Sequence, residues 1–193
     1  NNGEQEYIWD VESFNSSIYM TQGETAGDGD VLTLNSHTVF DGTGDNDVVY
    51  DEAVLNSRLY IAQGYSTGEG DIWVCNPAGG NDTSLCDSIL DWSLSYDGDE
   101  EAIYTVEALN GMLYAGQGTG TSDGKVLVCN PDGAGASSTI CDDQSEWSVS
   151  LSSSSKAPVG NFETVYALEV IGTQLYAGFG ANTGDGDIYT CDP

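Results

Sequence analysis

Four of the five cysteines occur as two pairs with the same surroundings, a layout typical of disulfide chemistry. The pairs are Cys75 with Cys86 and Cys129 with Cys141, and each encloses a Pro/Gly-rich loop, CNPAGGNDTSLC or CNPDGAGASSTIC. Structural zinc sites use closer CxxC spacing or added histidines, and His37 is the only histidine in the chain. We therefore predict two disulfides, each closing a short loop.

The fifth cysteine, Cys191, occupies the position of the first cysteine in such a pair, within Cys191-Asp192-Pro193. Its partner position lies beyond the last residue. An odd cysteine beside a disulfide framework indicates an intersubunit bond, a partner in a longer natural chain, or a free thiol. The layout favours the first two interpretations.

Acidic turns are the candidate metal ligands. Four turns read TAGDGDV, STGEGDI, GTSDGKV and NTGDGDI, and carboxylate oxygens are the ligands that calcium prefers. The candidate ligands are Asp28, Asp30, Glu69, Asp71, Asp185 and Asp187. Asp-Gly and Glu-Gly also make tight turns without a metal, the spacing does not match an EF-hand, and the third turn places Lys125 in the ligand position. We expect no cofactor, with calcium as the weaker alternative.

Catalytic patterns are missing from the sequence. A nucleophile–histidine arrangement would have to use His37, which has no motif around it, and the chain has no P-loop and no HExxH. Two carboxylates could hydrolyse a glycosidic bond, but any two could be chosen from 32 acids. We predict that the protein is not an enzyme.

One phrase recurs four times and indicates the elements that position these residues. Its copies are IYMTQG (Ile18–Gly23), LYIAQG (Leu59–Gly64), LYAGQG (Leu113–Gly118) and LYAGFG (Leu175–Gly180). The copies are separated by roughly 40 to 60 residues, a period typical of propellers or solenoids. Each copy follows an alternating apolar stretch and precedes a Gly/Asp turn and a second apolar run.

The third repeat is the clearest set of strands. Ile103, Thr105 and Glu107 alternate with Tyr104, Val106 and Ala108. The dipeptide Asn110-Gly111 predicts a type I′ hairpin, followed by strands at 112–117, 125–129 and 147–151. Four antiparallel strands in each repeat are typical of a propeller blade.

The predicted fold is an all-β propeller of four four-stranded antiparallel repeats in one domain, residues 1–193. The repeats span approximately residues 5–47, 48–101, 102–163 and 164–193. The last repeat ends at Pro193, directly after its third strand, and so lacks its outer strand. That strand could come from Asn1–Glu6, from a continuing natural chain, or from a neighbouring subunit, because an exposed edge invites pairing.

Aromatic residues share one column of the repeat alignment: Trp9, Tyr50, Tyr104 and Tyr166. Packing between blades is the favoured interpretation, and a sugar-stacking ring is the alternative. Two sequons, at Asn15 and Asn81, fall on predicted turns or loops where a glycan could be attached.

Charge and cysteine usage restrict the partners and the compartment. The chain has 32 acids against 3 bases, a formal net charge of −29, which disfavours nucleic-acid and anionic-membrane binding. No apolar run is long enough for a transmembrane helix, so we expect no membrane insertion. Five cysteines favour an oxidising compartment, and therefore an extracellular or cell-surface location.

The units LYAGQGTGTSDGKVLVCNP and LYAGFGANTGDGDIYTCDP resemble the tandem LYAGxG propeller repeats of secreted or surface proteins from environmental microbes, which are functionally uncharacterised. The resemblance covers nearly the whole chain, carries no catalytic residues, and implies an extracellular propeller module. The leading hypothesis is a structural or adhesive module that self-associates, for example as the subunit of a surface filament. The alternative is a carbohydrate- or ligand-binding propeller.

Overall fold

The protein is built from β-strands. The computed structural model describes residues 7–24, 29–34, 37–42, 48–65, 70–77, 85–98, 101–120, 123–131, 139–152, 163–181 and 186–191. Within these ranges the only helical elements are two 3-10 turns, Ile89–Asp91 and Gln144–Glu146. The all-β prediction is therefore confirmed. None of the described segments is a helix long and apolar enough to cross a membrane.

The described strands form four separate antiparallel sheets, each a simple up-and-down meander. Sheet 1 contains β1 (Ile8–Phe14), β2 (Ser17–Gln22), β3 (Asp30–Thr33) and β4 (Thr38–Asp41). Sheet 2 contains β5 (Val48–Leu55), β6 (Arg58–Gly64), β7 (Gly70–Cys75) and β8 (Trp92–Gly98). Sheet 3 contains β9 (Ile103–Leu109), β10 (Met112–Gln117), β11 (Lys125–Cys129) and β12 (Trp147–Ser152). Sheet 4 contains β13 (Val165–Ile171), β14 (Gln174–Phe179) and β15 (Asp187–Cys191).

Tight hairpins join the first two strands of each sheet. In sheet 3, Asn110 and Gly111 have φ values of 53° and 80°, as a type I′ turn requires. Sheets 1 and 2 place a serine at the second position instead, where Ser16 and Ser57 have φ values of 67° and 61°. The hairpin fixes the register, and the repeated phrase therefore becomes the second strand of every sheet.

The sheets pack face to face in chain order. We call the side of a sheet that faces the following sheet its forward face, and the opposite side its rear face. Three apolar clusters occupy the joints between sheets 1 and 2, 2 and 3, and 3 and 4. A tyrosine from the repeated phrase lies in each cluster on the forward face of the earlier sheet: Tyr19, Tyr60 and Tyr114. Because both faces of the middle sheets are covered, their strands are apolar on both sides.

Disulfides close the loops beyond the third strands of sheets 2 and 3. The structure joins Cys75 to Cys86 and Cys129 to Cys141, with Cα–Cα distances of 6.1 and 6.2 Å. Cys86 and Cys141 are buried in the joints with the preceding sheets. The cystine loops therefore contribute to packing between sheets as well as to loop closure.

A hydrogen bond from each cystine loop crosses the joint. The backbone amide of Cys86 donates to the hydroxyl oxygen of Tyr19 at 3.0 Å, and that of Cys141 donates to the hydroxyl oxygen of Tyr60 at 2.9 Å. Both tyrosines are fully buried, so each bond satisfies polar groups that water cannot reach. Tyr19 and Tyr60 therefore each pack an apolar ring in the joint and accept a hydrogen bond from the disulfide loop of the next sheet.

Sheets 1 and 4 lie at the two ends of this series of sheets, so each has one face outside the three joints. The rear face of sheet 1 carries exposed Ile8 and Val11, and the forward face of sheet 4 carries exposed Ile171 and Ile188. Sheet 4 contains three strands among the described residues.

Candidate functional site

The first strands of the sheets lie side by side, with β1 against β5, β5 against β9 and β9 against β13. This places equivalent positions of the repeats next to one another. Two kinds of side chain accumulate there: large aromatic rings and carboxylates. Among the described residues, we take these rings and carboxylates as the candidate functional site.

The aromatic column forms a continuous row of rings. Ring centroids are 5.3 Å apart for Trp9 and Tyr50, 4.8 Å for Tyr50 and Tyr104, and 5.1 Å for Tyr104 and Tyr166. The ring planes are tilted or edge-on, in the range that favours aromatic pairs. The two inner rings are half-buried, whereas the terminal rings of Trp9 and Tyr166 are exposed. The row can therefore offer ring surface at its two ends.

A hydrogen bond orients the first ring of the row. The indole Nε1 of Trp9 donates to the carbonyl oxygen of Gly23 at 2.8 Å. Gly23 ends the repeated phrase of sheet 1, so the ring is tied to the second strand. A fixed aromatic surface is what stacking against a sugar or another ring requires.

Polar bonds between neighbouring first strands run parallel to the aromatic row. Thr105 Oγ1 and the amide of Val106 both donate to Asp51 Oδ2, at 2.7 and 2.9 Å. Thr105 Oγ1 in turn accepts a bond from the amide of Leu168 at 3.1 Å. These three contacts link sheets 2, 3 and 4 through one carboxyl group and one hydroxyl group.

Glu52 is a buried carboxyl group, with 4% of the residue exposed. Its Oε1 accepts a bond from the amide of Glu12 at 2.9 Å, whereas its Oε2 has no hydrogen-bond partner among the described residues. Burial, followed by the charge of Asp10, raises the pKa of Glu52 to about 8. This shift favours the protonated form of the side chain near neutral pH, which lowers the cost of burying it.

Two further carboxyl groups hold protons more tightly than usual. Burial raises the pKa of Asp51, and the hydrogen-bonded carboxyl of Asp10 raises it further. Burial, together with the charge of Glu169, raises the pKa of Glu107 to about 7. The pKa values of these carboxyl groups, which lie close together on neighbouring first strands, are therefore higher than those of exposed acids.

The predicted calcium ligands are spread along the chain. Asp30, Asp71 and Asp187 each lie at or next to the start of a third strand, in three different sheets. Asp28, Glu69 and Asp185 lie outside the described residues. Asp30 accepts a bond from Nε2 of Gln22 at 3.3 Å. Within the described ranges, no group of three Asp, Glu, His or Cys side chains is arranged to hold a metal ion.

The other sequence candidates lie at separate places in the chain. Asn15 is exposed in the β1–β2 turn, and Asn81 lies outside the described residues. Cys191 is the last residue of β15. His37 is exposed just before β4, and its carbonyl accepts a bond from the amide of Thr33.

Sequence reasoning identified the aromatic column but missed the carboxyl groups beside it. The signal was present: Asp10 and Asp51 share one column of the repeat alignment, and Glu12, Glu107 and Glu169 share another. Among 32 acids these positions do not stand out, because the surroundings of each acid depend on contacts between sheets.

Comparisons with known proteins give no relative for this arrangement. No protein-family model matches the chain, no curated protein matches it, and no solved structure matches it.

Proposed function

We propose that the protein is a non-enzymatic structural or adhesive module of the cell surface, built as a β-propeller-like arc of four blades. Four antiparallel meanders, packed face to face with adjacent first strands, support the blade interpretation. The two disulfides and the absence of a membrane-spanning helix in the described residues are compatible with an extracellular location.

The observation that carries the proposal is the contrast between covered and open faces. Three joints between sheets bury apolar side chains, yet equivalent side chains on sheets 1 and 4 are exposed. An exposed apolar face rarely persists on a monomeric protein unless it binds something. A module with such a face at each end is suited to self-association, as a closed oligomer or as the repeating subunit of a filament.

The end of sheet 4 offers two further ways to associate. Strand β15 is the last of the three described strands of its sheet, so its outer edge could receive a strand from a neighbour. Cys191, at the end of the same strand, could form an intersubunit disulfide. Neither contact excludes packing between faces.

Electron microscopy of the purified protein tests this function. Negatively stained samples under non-reducing conditions should show regular multi-subunit particles or filaments. A matched Cys191→Ser sample separates thiol-linked assemblies, which this variant would lose, from packed assemblies, which it would keep. A field of single small particles in both samples would remove the structural proposal.

Carbohydrate binding is a second candidate, favoured by the aromatic row. The exposed rings of Trp9 and Tyr166 could stack on sugar faces, and neighbouring carboxyl groups could bond hydroxyls. A glycan array probed with the unaltered protein and with Trp9→Ala should show hits that the variant loses. An array without hits would count against this candidate and would leave the structural one intact.

A further inference from the structure

We propose that the rear face of sheet 1 in one copy packs on the forward face of sheet 4 in a second copy, so that the chain associates head to tail. The inference rests on the self-association proposed above and identifies its joint. The joint would repeat a contact that the chain already makes three times between its own sheets.

The forward face of sheet 4 has the positions of a buried joint without its cover. Ile188 is 77% exposed, whereas the equivalent Ile72 in sheet 2 is 0% exposed. Ile171 is 61% exposed, whereas the equivalent Leu109 in sheet 3 is 6% exposed. Tyr176, in the column of Tyr19 and Tyr60, lies between these positions on the same sheet. Because the equivalent positions in the other sheets are buried, we expect the forward face of sheet 4 to pack against a surface like the rear face of another sheet.

The rear face of sheet 1 is open in the complementary way. Ile8 is 54% exposed, and the equivalent Val49 of sheet 2 is 0% exposed. Val11 is 55% exposed, and the equivalent Val106 of sheet 3 is 1% exposed. Covering such side chains would stabilise the contact by removing apolar surface from water.

The aromatic row adds a second feature that continues across this joint. Each ring of the row contacts the ring of the next sheet, and the row ends at Tyr166. Packing of a second copy would bring its Trp9 to the exposed side of Tyr166, in the position that Tyr166 itself holds beside Tyr104. The apolar faces and the two ends of the aromatic row therefore favour the same partner, a second copy of the chain, in the same orientation.

The direction of packing follows from the internal joints. In all three, a forward face meets a rear face, and no forward face meets another forward face. A head-to-tail contact uses different surfaces on the two copies, so it forms a ring if the rotation closes and a filament otherwise. The net charge of −29 opposes either product, so added salt should favour association.

Two single substitutions test the joint, one on each face. Ile188→Glu should block the forward face of sheet 4, and Val11→Glu should block the rear face of sheet 1. Each places a charge in an interface that must exclude water, so each should weaken association by about tenfold or more. Both residues are exposed, so the isolated copies should fold, as circular dichroism can verify. Leu90→Glu, on an exposed 3-10 turn of sheet 2, is the matched control and should associate normally.

Mixing the two variants gives the sharpest readout, which sedimentation velocity can measure. Each variant alone should be monomeric at a concentration where the unaltered protein associates. An equimolar mixture should form a dimer, because the Ile188→Glu copy keeps an intact rear face and the Val11→Glu copy keeps an intact forward face. Ile171→Glu and Ile8→Glu provide a second pair if either first variant misfolds.

Other outcomes would overturn the joint in distinguishable ways. In one such outcome, Ile188→Glu would lose association, Val11→Glu would keep it, and mixing would not bring the Ile188→Glu copy into the assembly. This result would show that two forward faces pack together. Normal association of both variants would point to strand pairing or to Cys191, and would leave the proposed structural function standing. A monomeric unaltered protein would remove the joint and the self-association on which it rests.

Discussion

The hydroxyl oxygen of Tyr60 accepts a hydrogen bond from the backbone amide of Cys141, 2.9 Å away in the disulfide loop of the next sheet. Both groups are buried, and Tyr19 makes the equivalent bond to the amide of Cys86. A repeated residue and a repeated disulfide loop therefore form one recurring joint, whose parts are far apart in the chain. At Tyr19 and Tyr60 the bond requires the hydroxyl group, which phenylalanine would lack.

Tyr60→Phe should lower the free energy of unfolding by about 1–3 kcal/mol, because it leaves the buried amide of Cys141 without an acceptor. Chemical denaturation monitored by fluorescence measures the change. Tyr176→Phe is the matched control in sheet 4. The Tyr176 hydroxyl bonds to the side chain of Gln174 within its own sheet, so this loss should be well under 1 kcal/mol. Equal losses in the two variants would contradict the role given to the joint.

Gly116→Ala should destabilise the protein by about 1–3 kcal/mol, because its new methyl group would overpack the joint between sheets 3 and 4. A Cβ atom at this position would lie 2.6 Å from side-chain atoms of Thr105 and Val165. Gly178 occupies the same column in sheet 4, where an added Cβ would have only ordinary contacts at 3.8 Å. Gly178→Ala should therefore leave the unfolding free energy of the monomer nearly unchanged in the same denaturation experiment.

Replacing Cys129 and Cys141 together by serine should cost about 3 kcal/mol in the chain-entropy description of a short disulfide loop. Thermal unfolding of this double variant measures the loss. Peptide mapping of the unreduced protein should recover Cys75 linked to Cys86 and Cys129 linked to Cys141. A mixture of other pairings would contradict the joint, since it needs Cys141 beside Tyr60.

Stability should fall as pH rises from mildly acidic to mildly alkaline. The pKa of Glu52 is about 8 in the folded protein, against an ordinary 4.5, so the folded state keeps a proton that the unfolded chain releases. The stabilisation is complete below the unfolded value and is lost as pH rises through the folded value. One such group contributes a slope of up to about 1.4 kcal/mol per pH unit in that interval.

Glu52→Gln should flatten this pH dependence and raise the melting temperature at pH 8 relative to the unaltered protein. Glutamine keeps an oxygen that can accept the bond from the amide of Glu12 but has no proton to lose. Glu24→Gln removes one charge from an exposed position and is the matched control. An unchanged pH profile in Glu52→Gln would show that its carboxyl group is not the one that titrates.

Local sequence patterns predicted the strands more accurately than they predicted the side chains of the candidate site. The bounds 112–117 and 125–129 are those of β10 and β11, because hairpin turns and alternation act over a few residues. Strand β4 (Thr38–Asp41) is a short edge strand, and its local sequence signals are correspondingly weak. The aromatic column followed from aligning the repeats, and the structure places its rings in contact.

Contacts between sheets could not be predicted in the same way. The bond between Tyr60 and Cys141 spans 81 residues, and the bond between Glu12 and Glu52 spans 40. Whether an acid is buried depends on which sheet lies against it, and period-two alternation carries no such information. The carboxyl groups along the first strands therefore became visible only with the fold.

Sedimentation equilibrium of the unaltered protein decides whether the open faces of sheets 1 and 4 are joints or simply surface. In about 0.5 M NaCl the Debye length is only a few ångström, so repulsion between acidic copies is largely screened. The average mass should then rise with protein concentration from 20.3 kDa towards multiples of that value. A mass that stays at 20.3 kDa at every concentration would contradict head-to-tail association.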